Sequence, residues 1–336
     1  MKKFLAGANC IATLIVLAAF ATPCRNAIAQ VSRPAAAGPQ KIILDTDIGD
    51  DIDDAFALGL AISSAKVQLI GVTTAWGNTD LRARLVARLL AQTGHSDIPV
   101  AAGPKTTIDA ARFPFTQARW ASQFPEPQNG WPNAVDFILD AIRKNPGQIT
   151  LIGIAPFRNV GALIDKDPAT FRKLKRVIIM GGSIHRGYGD LGYLPDHGPV
   201  PEYNVLMDIP AAKQLFASGV PIYEMPMDST QNLKLDLVLR SILFSQSTPL
   251  TDALTLLYHQ WTASTRIPTP TLWDAMAVAY SIDPDICPTQ PMHIVVDDQG
   301  YTHVEPGRAN ANVCLRSDSD RFFHFYIPMV LGENGH

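Results

Sequence analysis

The chain has 336 residues, of which 47% are hydrophobic and 18% charged, with a formal net charge of −3. That composition supplies a sizeable core and excludes intrinsic disorder, collagen and coiled coil as the main architecture. An acidic balance with no basic stripe also argues against nucleic acid as a partner.

The first residues read as an export signal. Lys2 and Lys3 make a positive start, and Ile11 to Ala21 is an apolar run too short to span a membrane comfortably. Ala27-Ile28-Ala29 then offers small residues for cleavage before Gln30. Cleavage there removes Lys2, Lys3 and Arg25 and no acid, which takes the net charge from −3 to −6. The expectation is a signal peptide at 1–29, a flexible tether rich in Ala, Pro and Gln at 30–40, and one domain over 41–336. Such a protein is periplasmic or secreted, and free of the membrane once cleaved. Of four cysteines only Cys287 and Cys314 remain after cleavage. An oxidising compartment allows them to pair, but two thiols do not make a framework.

In chain order, Lys41 to Leu44 reads as a buried strand and Ala55 to Ile62 as a helix. Val67 to Thr74 is a second strand, and Leu81 to Gln92 a helix with leucines and arginines at helical spacing. The alternation continues with a helix at Ala134 to Arg143, a strand at Ile149 to Ile154 and a helix opening at Val160 to Ile164. Val177 to Met180 and Ile222 to Met225 are strands around a helix at Ala211 to Phe216. Alternating strands and helices predict an α/β fold with a mostly parallel central sheet. Residues 104–132 are Pro-rich and irregular, Gly187 to Pro201 is a second loop, and long loops of this kind often bind ligands. Arg172, Lys173, Lys175 and Arg176 read as a solvated helix end.

The sharpest feature is Asp45-Thr46-Asp47-Ile48-Gly49-Asp50-Asp51-Ile52-Asp53-Asp54-Ala55, with six aspartates in ten residues straight after a strand. Ionised together they repel one another, and a hard divalent cation would offset that charge with the oxygen ligands it prefers. In parallel α/β sheets ligands sit at the carboxyl ends of strands, where this loop lies. The EF-hand spacing is not met, because Asp50 replaces the required glycine and Phe56 stands at the twelfth position.

These segments together resemble the inosine-uridine-preferring nucleoside hydrolase family. The resemblance rests on Asp45-Thr46-Asp47-Ile48-Gly49 followed by Asp53-Asp54-Ala55, with two extra acids between. It continues through Thr73-Thr74-Ala75-Trp76-Gly77-Asn78, Ile154-Ala155-Pro156-Phe157-Arg158-Asn159, Met180-Gly181-Gly182, Glu202-Tyr203-Asn204, Asp208 and Asp274. It implies a Rossmann-like core and a Ca2+ site in which Asp47, Asp54 and Asp274 give carboxylates and Ile154 its backbone carbonyl. It also implies that Asp53, Glu202 and Asn204 hold the ribose hydroxyls, with Asn78 close to the metal loop, and that Asp47 is the general base. A homodimer or tetramer is implied as well. Asp45-Thr46-Asp47 is also similar to the nucleophile motif of haloacid-dehalogenase-type phosphatases, but Gly49 stands where that family carries a small hydroxyl or branched residue.

Members that accept purines and pyrimidines alike carry His before the last metal-binding Asp; here that residue is Trp273. This resembles the purine-specific branch, where Trp stacks on the base and a second Trp covers its other face. Trp120 or Trp131 in the Pro-rich stretch is a candidate for that face, with Trp120 favoured. The expected function is an exported, calcium-dependent, purine-preferring ribonucleoside hydrolase. A periplasmic nucleoside- or sugar-binding protein and a hydrolase of another ribosyl compound are the alternatives.

Overall fold

The computed structural model describes residues 38–107, 114–191 and 196–333. The expected signal peptide at 1–29 and the tether up to residue 37 lie outside the described residues.

The central sheet is built from β1 (Gln40–Thr46), β2 (Val67–Thr74), β3 (Val100–Ala102), β4 (Thr150–Ile154), β5 (Arg176–Met180), β6 (Ile222–Met225), β7 (Gln290–Met292) and β10 (Ala311–Val313). Their order across the sheet is β3-β2-β1-β4-β5-β6-β10-β7, and every neighbouring pair is parallel except β10 with β7. A separate antiparallel pair joins β8 (Ile294–Val296) and β9 (Thr302–Val304).

Side chains alternate between the two faces of a strand, and the core divides accordingly. Ile42, Leu44, Ile152, Ile154, Ile178, Met180 and Met225 join one apolar layer with the helices Asp53–Ser63, Thr79–Gln92, Pro249–Thr265, Trp273–Ile282 and Ser319–Val330. Ile43, Leu151, Val177, Ile179, Ile222 and Val313 join the other with Ala134–Lys144, Arg158–Lys166 and Ile209–Ala217. The strands are apolar on both faces because both are covered by helices. The fold is therefore the α/β class expected, with Gln40 inside β1 rather than in a tether.

Other expectations shift. Arg172 and Lys173 are exposed just past the short helix Pro168–Phe171, but Arg176 begins β5 and lies over the rings of Tyr223 and Tyr280. Cys287 and Cys314, left open above, form a disulfide. Among the described residues no helix is long and apolar enough to cross a membrane.

Candidate active site

The carboxyl ends of β1, β4 and β5 open onto a cavity of about 530 Å³, within the range that holds small ligands. Its lining includes Asp47, Asp51, Asp53, Asp54, Ile154, Glu202, Asn204, Trp273 and Asp274.

The six aspartates after β1 divide into distinct roles. Asp45 ties the sheet together: it accepts hydrogen bonds from Thr73 Oγ1 and Asn159 Nδ2, both at 2.6 Å, and burial pushes its carboxyl up to about 6. Asp50 pairs with Arg82 at 2.7 Å. Arg82 is fully buried, and its guanidinium also donates to the carbonyls of Asp47, Ile48 and Trp76. One cation thus fixes the loop's backbone and offsets part of its charge. The loop turns at Gly49 (φ +128°), where a Cβ would run into the Phe115 ring. Thr116 and Gln117 fasten the turn by donating to the Asp50 and Asp51 carbonyls.

Asp53 and Asp54 begin the helix Asp53–Ser63, at the end where its dipole favours anions. Thr46 donates to Asp54, and the Asp274 amide donates to Asp53 Oδ2 at 3.2 Å. Asp53, Asp54 and Asp274 are all buried and each offers an oxygen within 4.8 Å of the others. Burial, and then repulsion from neighbouring aspartates of the cluster, holds all three carboxyls well above the usual carboxylate range, although hydrogen bonds from Asp274 pull Asp53 partly back. Burial pushes Asp47 up to about 7, with Arg82 pulling the other way. Asp47 lines the same cavity and repels Asp54 but stands outside the 4.8 Å group, whereas Asp53, expected on the ribose, belongs to it. Crowded, buried, oxygen-only donors with surplus negative charge fit a hard divalent cation.

Glu202 is the N-cap of the helix Tyr203–Leu206, accepting from the amides of Gly182, Asn204 and Val205, and burial pushes it up to about 7. Asn204 Nδ2 donates to the Met180 carbonyl at 3.0 Å. Both side chains reach the cavity, as the sequence suggested.

Two expected residues do not. The Asn78 side chain caps the helix Thr79–Gln92, accepting from the Leu81 amide, and is absent from the described lining. Trp120 is 3% exposed, packed in the core with the Arg88 guanidinium 4.3 Å from its ring centre. A short helix, Ala118–Ala121, turns it inward from the Pro-rich stretch. Trp131 lines a different hollow. The second tryptophan on the cavity wall is Trp261, near the end of the helix Pro249–Thr265. Trp273 itself is on that wall, its indole N–H donating to Gln231 Oε1 at 3.2 Å. Lys234 and Gln231, also missed, belong to the same wall.

The sequence profile of the family described as Inosine-uridine preferring nucleoside hydrolase matches residues 42–324. The protein C1683.06c of Schizosaccharomyces pombe is 36% identical over 203 residues, a stretch covering 57% of this chain and 63% of that protein, just under two thirds of it. The pyrimidine-specific ribonucleoside hydrolase RihB of Escherichia coli O157:H7 is 28% identical over 321 residues, 87% of this chain and 97% of its own. Among solved structures, the purine-preferring ribonucleoside hydrolase from Gardnerella vaginalis has a TM-score of 0.74 at 22% identity, covering 88% of this chain and 99% of that one. That likeness concerns the fold.

Proposed function

The chain belongs to the inosine-uridine preferring nucleoside hydrolase family, and on that premise we propose that it hydrolyses the N-glycosidic bond of ribonucleosides, with Ca2+ bound and purine bases preferred. The observation that carries the reading is the meeting of Asp47, Asp53, Asp54 and Asp274 with Trp273 and Trp261 around one cavity.

Asp54 and Asp274, with Asp53 beside them, Asp47 and the Ile154 carbonyl, would hold the ion. When bound, it supplies positive charge among the acids and acidity toward water. Asp47 takes the proton of the attacking water, acting as general base. Bond cleavage builds positive charge on the ribose, and preorganised carboxylates stabilise that charge. Asp53, Glu202 and Asn204 hold the ribose hydroxyls and so fix the anomeric carbon relative to Asp47. A flat base lies against Trp273, where aromatic stacking adds about 0.5–1.5 kcal/mol beyond burial. A purine offers the larger face, which is the ground for the preference.

Export is part of the proposal. The positive, apolar and small-residue pattern of 1–29 supports it, as does the Cys287–Cys314 disulfide, which suits an oxidising compartment. Free ribose release from inosine, guanosine, adenosine, cytidine and uridine, each with and without chelator, tests the activity. Ribose from inosine that disappears on chelation is expected; uridine cleaved as fast as inosine overturns the purine preference, and stoichiometric binding without ribose release overturns the hydrolase.

A further inference from the structure

Departure of a purine anion is difficult without a proton, and a tryptophan at 273 has no acid to give at neutral pH. We propose that the ammonium of Lys234 protonates the departing base. This assignment rests on the hydrolase reading above and adds a residue to it.

Lys234 is carried by a two-strand bridge in which it pairs with Thr271, flanked by backbone bonds from Leu235 to the Pro270 carbonyl and from Leu272 to Leu233. The bridge leads directly into Trp273 and Asp274, so it ties the Lys234 backbone to the chain that carries the indole. Lys234 Nζ donates to Thr271 Oγ1 at 2.6 Å and stands 5.8 Å from the centre of the Trp273 ring. That places a proton donor on the wall where the base would stack, and both residues line the cavity with the acids. An ammonium has three N–H donors; the Thr271 bond leaves others for a ligand.

The surroundings suit the task. Burial lowers the lysine's proton affinity, and the Asp51 carboxylate, the charged group that faces it, partly restores it. Asp51 is one of the two acids inserted between the family-like segments of the loop. The step balances simply. The C1′–N9 bond breaks with its electron pair passing to the base, N7 takes a proton from Lys234, and the water oxygen bonds C1′ as its proton passes to Asp47. Lysine is left as the neutral amine and recovers its proton from solvent.

The test compares two leaving groups in the purified full-length chain with Ca2+ present. Inosine needs a proton on its base, whereas p-nitrophenyl β-riboside expels a stable anion. Lys234→Met should lose about 10²-fold or more in kcat on inosine and change within about threefold on the nitrophenyl riboside. Lys234→Arg keeps the cation beside Trp273 but does not give up a proton near neutrality, so it should be as defective as Lys234→Met on inosine. Full inosine turnover by Lys234→Arg overturns the assignment, as do equal losses on both substrates. A wild-type protein inert toward both overturns the hydrolase reading and this assignment with it.

Discussion

The backbone amide of Asp274 donates to the carboxylate of Asp53 across 221 positions of sequence. Two helix N-termini, Asp53–Ser63 and Trp273–Ile282, are thereby brought point to point, and each presents an acid to the same space. Positive helix ends moderate this concentration of charge without neutralising it.

The first expected outcome concerns the ion. A cation that binds only the folded protein stabilises it, by about 2.7 kcal/mol at a hundredfold excess over Kd. Exhaustive chelation should abolish ribose release and lower Tm, and Ca2+ should restore both. Thermal melts unchanged by chelator, with full turnover, would count against any ion among Asp53, Asp54 and Asp274.

Arg82 is a buried cation with one carboxylate and three carbonyl partners. Arg82→Met leaves Asp50 and those carbonyls without it, and breaking a buried pair on one side costs about 3–5 kcal/mol. Arg82→Lys should recover little, since a point charge lacks the planar fork. Urea denaturation measures both variants; a loss below about 1 kcal/mol in Arg82→Met, within the range of an exposed pair, contradicts this account.

The tryptophans separate function from packing. Trp273→Ala should cut purine turnover far more than stability, because the ring is partly exposed on the cavity wall. Trp120→Ala should do the reverse, costing about 3–5 kcal/mol as a core deletion with KM for inosine little changed. Paired melts and kinetics decide, and a Trp120→Ala variant of wild-type Tm but weakened inosine binding would return Trp120 to the site.

Glu224 is fully buried in β6, with neither carboxylate oxygen hydrogen-bonded among the described residues. Burial, then repulsion from Asp228 and Glu202, holds its pKa well above the ordinary 4.5. Between those two values the unfolded chain releases the proton while the folded one keeps it. Its contribution to stability therefore falls as pH rises, starting near 4.5. Glu224→Gln should gain on wild type in urea midpoint as pH is raised above about 5. A gap that stays constant across that range excludes the titration.

The disulfide closes a loop of 27 residues between Cys287 and Cys314. Loop-closure entropy makes this worth about 3–4 kcal/mol. Reductant should lower the unfolding midpoint accordingly, and protein isolated from the exporting host should begin near Gln30 with no free thiol. A chain recovered with Met1 intact and all four of its cysteines as free thiols speaks against export.

The parallel sheet was legible because β1, β2, β4, β5 and β6 are mainly apolar segments of strand length between helical patterns. The last third was not, since β7 to β10 have three residues each and show no period. Asp47, Asp53, Asp54, Glu202, Asn204, Trp273 and Asp274 were readable from their ordered motifs, and all line the cavity. Arg82 was hidden among the arginines of an amphipathic helix, where a buried guanidinium looks like its solvated neighbours. Trp120 misled because a tryptophan amid prolines suggests an open loop, whereas a single helical turn buries it. Lys234 and Trp261 carry no local signal; tertiary packing alone brings them to the cavity that Trp273 lines.

β1 lies inside the sheet, with β2 on one side and β4 on the other. Both pairings are parallel, and parallel neighbours need long crossovers whose closure is slow. The fixed position of the acid-bearing loop thus depends on strands drawn from more than a hundred residues of chain. A nascent chain holds all six aspartates of that loop well before it holds Asp274. An ion held at once by that loop and by Asp274 would bind the finished molecule and not a chain that still lacks either part.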